Sequence, residues 1–240
     1  PYLVICILSS PATKSLKLRR AIRRTWASST YNGQVRFIFF VGHSKVLEKK
    51  NQSKLMEESN LHGDIVIIDY EDKYRRINYK SVSILKWCSN YCLNSRYIAK
   101  VDEDMFLDLP NLLSLLNSIE IPKVILGFVI SNGKPIRNTK HKWYVSEQIY
   151  RYEHYPVYIS GTTYVISSDL LSGLLLAASQ SPTIPNEDVY ITGICGKKAG
   201  ATLLGHCGFN TSKLPVFMWA FKLNVNAHHY TPKEFQEIWN

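Results

Sequence analysis

The chain has 240 residues, 45% hydrophobic and 20% charged, with a formal net charge of +10. That length suits one large α/β domain or two small ones, and the absence of any run of about 18 apolar residues excludes a helical membrane span. The positive balance fits phosphorylated or acidic partners, yet it is spread along the chain, with no zinc-finger spacing and no RNA-binding signature.

Taken in order, the elements alternate. Residues 2–8 are an apolar run too short to span a membrane and read as a buried strand. Residues 15–27 carry Leu16, Leu18, Ile22 and Trp26 at helical spacing among Lys14, Lys17, Arg19, Arg20, Arg23 and Arg24. Trp26 reads as core. A second strand covers 35–41, a polar helix 44–60, a third strand 65–68 and a helix 77–90. The fourth strand, 97–101, ends at Asp102-Glu103-Asp104; Pro110 then starts a helix to Asn117, and 124–130 is another strand. Beyond 130 the pattern turns irregular and aromatic, with Trp143, Tyr144, Tyr150, Tyr152, Tyr155 and Tyr158 close together. Such a segment floors a sugar site or packs a mixed layer. Helices follow near 169–179 and 187–198. Continuous apolar strands separated by helices predict a mainly parallel sheet covered on both faces. With no repeat and no linker, the chain reads as one domain, 1–240. Lacking an initiator Met, it reads as the soluble part of a longer protein.

The acidic triplet is the feature that carries chemistry. Three adjacent carboxylates between apolar flanks are costly unless something positive compensates them. They form either a solvated turn or a divalent-cation site shared with substrate phosphates. Their place at the carboxyl end of a strand, where open α/β sheets bind ligands, favours the cation. The five cysteines, Cys6, Cys88, Cys92, Cys195 and Cys207, lack zinc spacing and leave at least one thiol unpaired. The sequons Asn51-Gln52-Ser53 and Asn210-Thr211-Ser212 mark possible glycan acceptors and lean towards the secretory route.

Several blocks then match one family in order. They are Arg19-Arg20-Ala21-Ile22-Arg23-Arg24-Thr25-Trp26, Phe39-Phe40-Val41-Gly42, Gly63 to Tyr74 with Asn78 and Lys80, and Lys100-Val101-Asp102-Glu103-Asp104-Met105-Phe106. Lys142 to Ser146, Tyr155 to Gly161, Glu187-Asp188-Val189-Tyr190, and finally His228, Pro232 and Trp239 complete the series. The chain resembles the β-1,3-galactosyltransferase-like enzymes, glycosyltransferase family 31, over nearly its whole length.

That resemblance implies a GT-A fold, with a nucleotide-sugar-binding half at about 1–107 and an acceptor half at about 108–240. It implies a UDP-sugar donor, Mn²⁺ dependence, inversion at the anomeric carbon, and a glycan acceptor on a glycoprotein or glycolipid. It also implies a Golgi luminal enzyme whose membrane anchor precedes residue 1; a homodimer is one state it allows, and nucleic acid is no expected partner. Asp104 is the expected principal metal ligand, with Asp102 assisting and His228 as the second protein ligand. Asp188 is the expected general base on the acceptor 3-hydroxyl, with Glu187 the alternative. Arg19, Arg23 and Lys80 are expected at the donor's phosphates or ordering the loops around them. Asp72 is assigned to the uracil ring, Asp102 and Glu103 to the donor side, and Trp143, Tyr144, Tyr155 and Gly161 to the sugar sites. Cys92 and Cys195 match cysteines common in the family and are the expected disulfide. Three departures stand out: Glu103 where Asp is commoner, Thr162-Thr163 in a usually glycine-rich stretch, and no sequon at Asn78-Tyr79-Lys80. The rival readings are a catalytically silent relative that only binds carbohydrate or protein, and a nucleic-acid-binding protein motivated by charge alone.

Overall fold

The computed structural model describes residues 1–29, 31–43, 49–71 and 77–240, without the side chains of 49–51. In chain order the elements are β1 (Leu3–Ser9), α1 (Thr13–Arg24), β2 (Val35–His43), α2 (Lys49–His62), β3 (Ile65–Glu71), α3 (Ile77–Tyr91), β4 (Tyr97–Asp102), β5 (Phe106–Leu107), α4 (Leu109–Asn117), β6 (Val124–Ile130) and β7 (Tyr158–Ser167). After a 3₁₀ turn come α5 (Leu171–Ser179), a π-helical stretch (Val189–Cys195) running into α6 (Gly196–Lys198), β8 (Thr202–Gly205), β9 (Asn226–Ala227) and α7 (Pro232–Trp239).

Seven strands make one sheet in the order β3-β2-β1-β4-β7-β6-β8. The pairs β3/β2, β2/β1, β1/β4 and β6/β8 are parallel, and β7 runs antiparallel to both β4 and β6. Only β7 is reversed. Buried strands alternate their side chains between two layers. Leu3, Ile5 and Ile7 face a core shared with α1, α4, β5 and α7, whereas Val4, Cys6 and Leu8 face one shared with α3, α5 and the π-helical stretch. This is the expected α/β class: a mainly parallel sheet with helices on both faces. Trp26 lies in the first core, edge-on to Phe37.

Two local devices bring the chain's end back to the triplet. The β5/β9 pair sets Phe106 opposite Ala227 and Leu107 opposite Asn226. Just after it, α7 is fixed by a capping box between Thr231 and Glu234, with Pro232 in its first turn and Phe235 and Ile238 buried. Phe106 packs against Phe221 and Phe235, which anchors the tail to the turn that carries the acids.

The Cys92–Cys195 disulfide is corrected: both cysteines are free thiols. Cys88 lies with its sulfur 3.6 Å from that of Cys6, and Cys92 interacts with Cys88 rather than with Cys195. Cys195 sits instead beside the Tyr190 hydroxyl.

Candidate active site

Asp102 ends β4, and the chain turns at once, with the Met105 N–H donating to the Asp102 carbonyl at 3.2 Å. The turn points Asp104 towards the returning tail. His228 Nε2 lies 3.0 Å from Asp104 Oδ1, and His229 Nδ1 lies 3.7 Å from Oδ2. The Tyr230 N–H donates to the Asp104 carbonyl at 3.1 Å and locks the tail in place. One ligand atom from each of Asp104, His228 and His229 falls within 4.8 Å of the others. Burial pushes the Asp104 carboxyl up, but the His228 hydrogen bond and the two imidazoles outweigh it and hold the group below its ordinary value. A carboxylate and imidazoles so placed fit a divalent transition-metal ion. The sequence pointed to Asp104 and His228. The structure adds His229, the residue after His228, to this cluster.

A second cluster is built where β4 meets β7. Lys100, a lone cation in an apolar strand, is buried with its Nζ 2.7 Å from Asp102 Oδ1 and 3.6 Å from Glu187 Oε2. It also donates to the Gly161 carbonyl. Burial pulls the ammonium down, but Asp102 and Glu187 prevail and hold it above its usual value. Burial likewise raises Asp102, against the pull of Lys100. Glu187 Oε1 accepts from the Tyr164 hydroxyl at 2.7 Å, so both of its oxygens face buried partners. Tyr164 is opposite Lys100 in the β4/β7 register, which is why the pairing of these strands assembles the cluster.

Asp188 caps the π-helical stretch, with Oδ1 accepting from the Val189 N–H at 2.9 Å and Oδ2 from the Gly161 N–H at 3.1 Å. A Cβ at 161 would meet Asp188 Cβ at 3.1 Å and Glu187 Oε2 at 3.3 Å, so any side chain there would crowd both acids. Burial first, then the neighbouring Glu187 charge, raise the Asp188 carboxyl to about 6, against the two N–H donors and Lys100. The π-helical turn is held by Thr192, whose hydroxyl donates to the Asp188 carbonyl at 2.7 Å and accepts from the Ile159 N–H at 2.9 Å. Such turns recur at functional sites. The Tyr155 ring is buried, and its hydroxyl has no hydrogen-bond partner among the described residues. Burial pushes Tyr155 up to about 12, with Asp188 among the charges that add to the rise.

A family model described as galactosyltransferase matches residues 17–204. The chain belongs to the galactosyltransferase family. It is a hexosyltransferase by that membership. Beta-1,3-galactosyltransferase 1 of Homo sapiens and of Mus musculus are each 31% identical over 245 residues, covering 100% of this chain and 73% of theirs. Human beta-1,3-galactosyltransferase 2 is 30% identical over 248 residues, covering 100% of this chain and 58% of its own length. Among solved structures, the galactosyltransferase LgtC, in complex with donor and acceptor sugar analogues, aligns with 98% of this chain and 94% of its own at 11% identity and a TM-score of 0.48. A Pyrobaculum calidifontis mannosyltransferase in complex with GDP-Man and Mn²⁺ covers 86% of this chain and 55% of its own at 8% identity and a TM-score of 0.47.

In the first family block Arg19 and Arg23 are turned inward onto acidic partners, whereas Arg20 and Arg24 are exposed; of the two roles expected of Arg19 and Arg23, these contacts are of the loop-ordering kind. Arg19 is 1% exposed and donates to Glu58, to Ser9 Oγ at 2.8 Å and to the Ser10 carbonyl at 2.8 Å. Arg23 forks onto Asp64 at 2.7 and 2.8 Å and reaches Glu58 at 2.7 Å. Lys80 is buried and donates to the Ser9 carbonyl at 2.7 Å. Glu103 accepts from the Ser9 and Ser15 hydroxyls at 2.5 and 2.6 Å, so this donor-side acid braces the end of β1. Asp72 lies outside the described residues. Of the sugar-site aromatics, Tyr155 is buried within reach of the Asp188 charge, whereas Trp143 is 44% exposed and Tyr144 half-buried on the loop before β7. The Asn210 side chain is half-buried, and its amide nitrogen donates to the Gly208 and Asn226 carbonyls and to Asn224 Oδ1. The Asn51 side chain lies outside the described residues.

Proposed function

We propose that the chain is an inverting β-1,3-glycosyltransferase of GT-A type, which moves galactose or an N-acetylhexosamine from a UDP-sugar to the 3-hydroxyl of a glycan acceptor. The observation that carries this reading is the pair of unlike aspartates in a chain of the galactosyltransferase family: Asp104 held ionised beside two imidazoles, and Asp188 raised to about 6 at the same end of the sheet. Asp188 takes the proton from the acceptor 3-hydroxyl, and the freed oxygen attacks the anomeric carbon of the donor. The bond from that carbon to the diphosphate breaks as the new one forms, so UDP departs from the opposite face and the configuration inverts. A base with a pKa near the working pH contributes roughly 10²–10⁴-fold. Glu187, paired with Lys100 and Tyr164, orients and tunes Asp188 rather than taking the proton itself. Asp104 and His228 would hold the divalent cation, Mn²⁺, with Asp102 assisting; such an ion acts as a Lewis acid on a departing diphosphate.

Incubating the chain with UDP-galactose, UDP-N-acetylglucosamine and UDP-N-acetylgalactosamine, with and without Mn²⁺, tests the reading. The expected result is Mn²⁺-dependent UDP release that rises with a β-linked glycan acceptor and yields a 1,3-linkage. UDP binding without transfer to any acceptor would favour a silent, carbohydrate-binding relative. Family membership also supports work in the Golgi lumen on glycoprotein or glycolipid glycans, anchored through a segment outside this chain. Among the described residues no helix is long and apolar enough to cross a membrane. Imaging the full-length protein against Golgi markers decides that point.

A further inference from the structure

His228 and His229 are consecutive, and consecutive side chains of an extended segment point to opposite sides. These two do not. His229 has φ +70°, a left-handed conformation. A non-glycine residue entering it brings its Cβ close to the following carbonyl oxygen, which is unfavourable. The turn folds the second imidazole back onto the first, and the rings stack with centroids 3.7 Å apart and 26° between planes. It also aims His229 Nδ1 at Asp104 Oδ2 while His228 Nε2 meets Oδ1. The His229 side chain is 65% exposed, so burial in the core does not offset the strain. The turn sends Tyr230 into the core, but glycine or asparagine would make that turn with less strain. Histidine tolerates this turn better than most residues, and here the turn puts its ring on Asp104, as strained backbone commonly does at a site.

We propose that His229 is a further protein ligand of the divalent cation, giving the site two nitrogen donors and one carboxylate from Asp104. This rests on the metal reading above and extends it. A second imidazole strengthens the site for Co²⁺ and Zn²⁺ relative to Mn²⁺, along the usual order of divalent affinities. His229 therefore sets which ions the site accepts.

Calorimetric titration with MnCl₂ and with CoCl₂, with no nucleotide present, tests this on the wild-type chain and on H229N, H229Q and D104N. H229N suits the left-handed backbone, and thermal melts confirm that each variant is folded. The expected result is a Co²⁺ affinity lower by about tenfold or more in both His229 variants, a smaller loss for Mn²⁺, and an altered visible absorption of the Co²⁺-loaded protein. Wild-type affinities and an unchanged cobalt spectrum in H229N and H229Q, with binding lost in D104N, would overturn the role of His229 alone. A wild-type chain that binds neither ion would overturn the metal reading itself.

Discussion

Asp104 and Asp188 are the same residue type at the same end of one sheet, and burial raises both, yet the charges beside them are opposite. Asp104 sits on a turn, with a side chain 35% exposed and two imidazoles against it. Asp188 sits at the mouth of a helix, half-buried, beside Glu187 and on the Gly161 N–H of β7. Imidazoles hold the first carboxyl down; burial and a like charge lift the second to about 6. One is built to remain an anion, the other to gain and lose a proton near neutral pH. Environments that push paired carboxyls apart are how a site divides its labour. Lys100 joins the two regions, since its ammonium touches Asp102 in one and Glu187 in the other.

The strongest way to break this contrast is D188N. Transfer is expected to fall by roughly 10²–10⁴-fold while Mn²⁺ and UDP affinity stay as they are, measured by turnover and by calorimetry. The same variant reads out in stability with the opposite sign. The folded-state value of Asp188 lies above its unfolded value of 3.8, so its proton stabilises the fold. That contribution is fully present below about pH 4 and is lost as pH rises through about 6. D188N removes this penalty of up to about 3 kcal/mol at pH 7.5, but its amide offers one oxygen to the two N–H donors, so the expected gain over wild type is smaller and shrinks towards pH 4. Chemical denaturation at the two pH values measures it. Next in size is D104N, expected to weaken Mn²⁺ binding by at least about 10–100-fold. A D104N chain that held Mn²⁺ as tightly as wild type would move the cation elsewhere.

Much of the fold was legible because buried parallel strands are apolar on both faces. The runs 2–8, 35–41, 97–101 and 124–130 each became a strand within two residues of the expected limits. The ten-residue strand β7 went unread because Ser160, Gly161, Thr162 and Thr163 interrupt its apolar pattern at the site. Strands β5 and β9, two residues each, are too short to carry a period. Within the site, the triplet announced itself through three acids between apolar flanks. Asp188 and His228 carried no local signal and were reached only through the family blocks. The Lys100–Glu187–Tyr164 cluster depends on the register of β4 against β7, which no local pattern encodes. For Arg19 and Arg23 the family blocks left phosphate binding and loop ordering side by side, because helical spacing does not reveal the buried Glu58 that both arginines meet.

A finer change sharpens the contrast without breaking it. E187Q removes the charge that is second only to burial in lifting Asp188, while its amide oxygen still accepts from Tyr164. As a base, Asp188 must be ionised, so kcat/KM rises with pH through about 6 and falls about tenfold per pH unit below it. In E187Q this acid limb is expected to move to lower pH, with the plateau changed far less than in D188N. A limb that stays in place would mean that Glu187 does not tune the base.

The smallest effect is expected at Glu103, which touches neither region's chemistry. Its carboxylate takes the Ser9 and Ser15 hydroxyls, and Ser9 Oγ in turn accepts from buried Arg19. E103A would leave those hydroxyls without their acceptor, at a cost of about 1–3 kcal/mol. For a chain of this size that amounts to a melting point lower by roughly 2–10 °C. Mn²⁺ affinity and the acid limb are expected to stay put, because Asp104 and Asp188 keep every partner described above. Thermal melts paired with a Mn²⁺ titration separate the outcomes. If E103A lost the cation while still folded, the middle acid would belong to the metal region, and the triplet would act as one unit rather than as a ligand beside a brace.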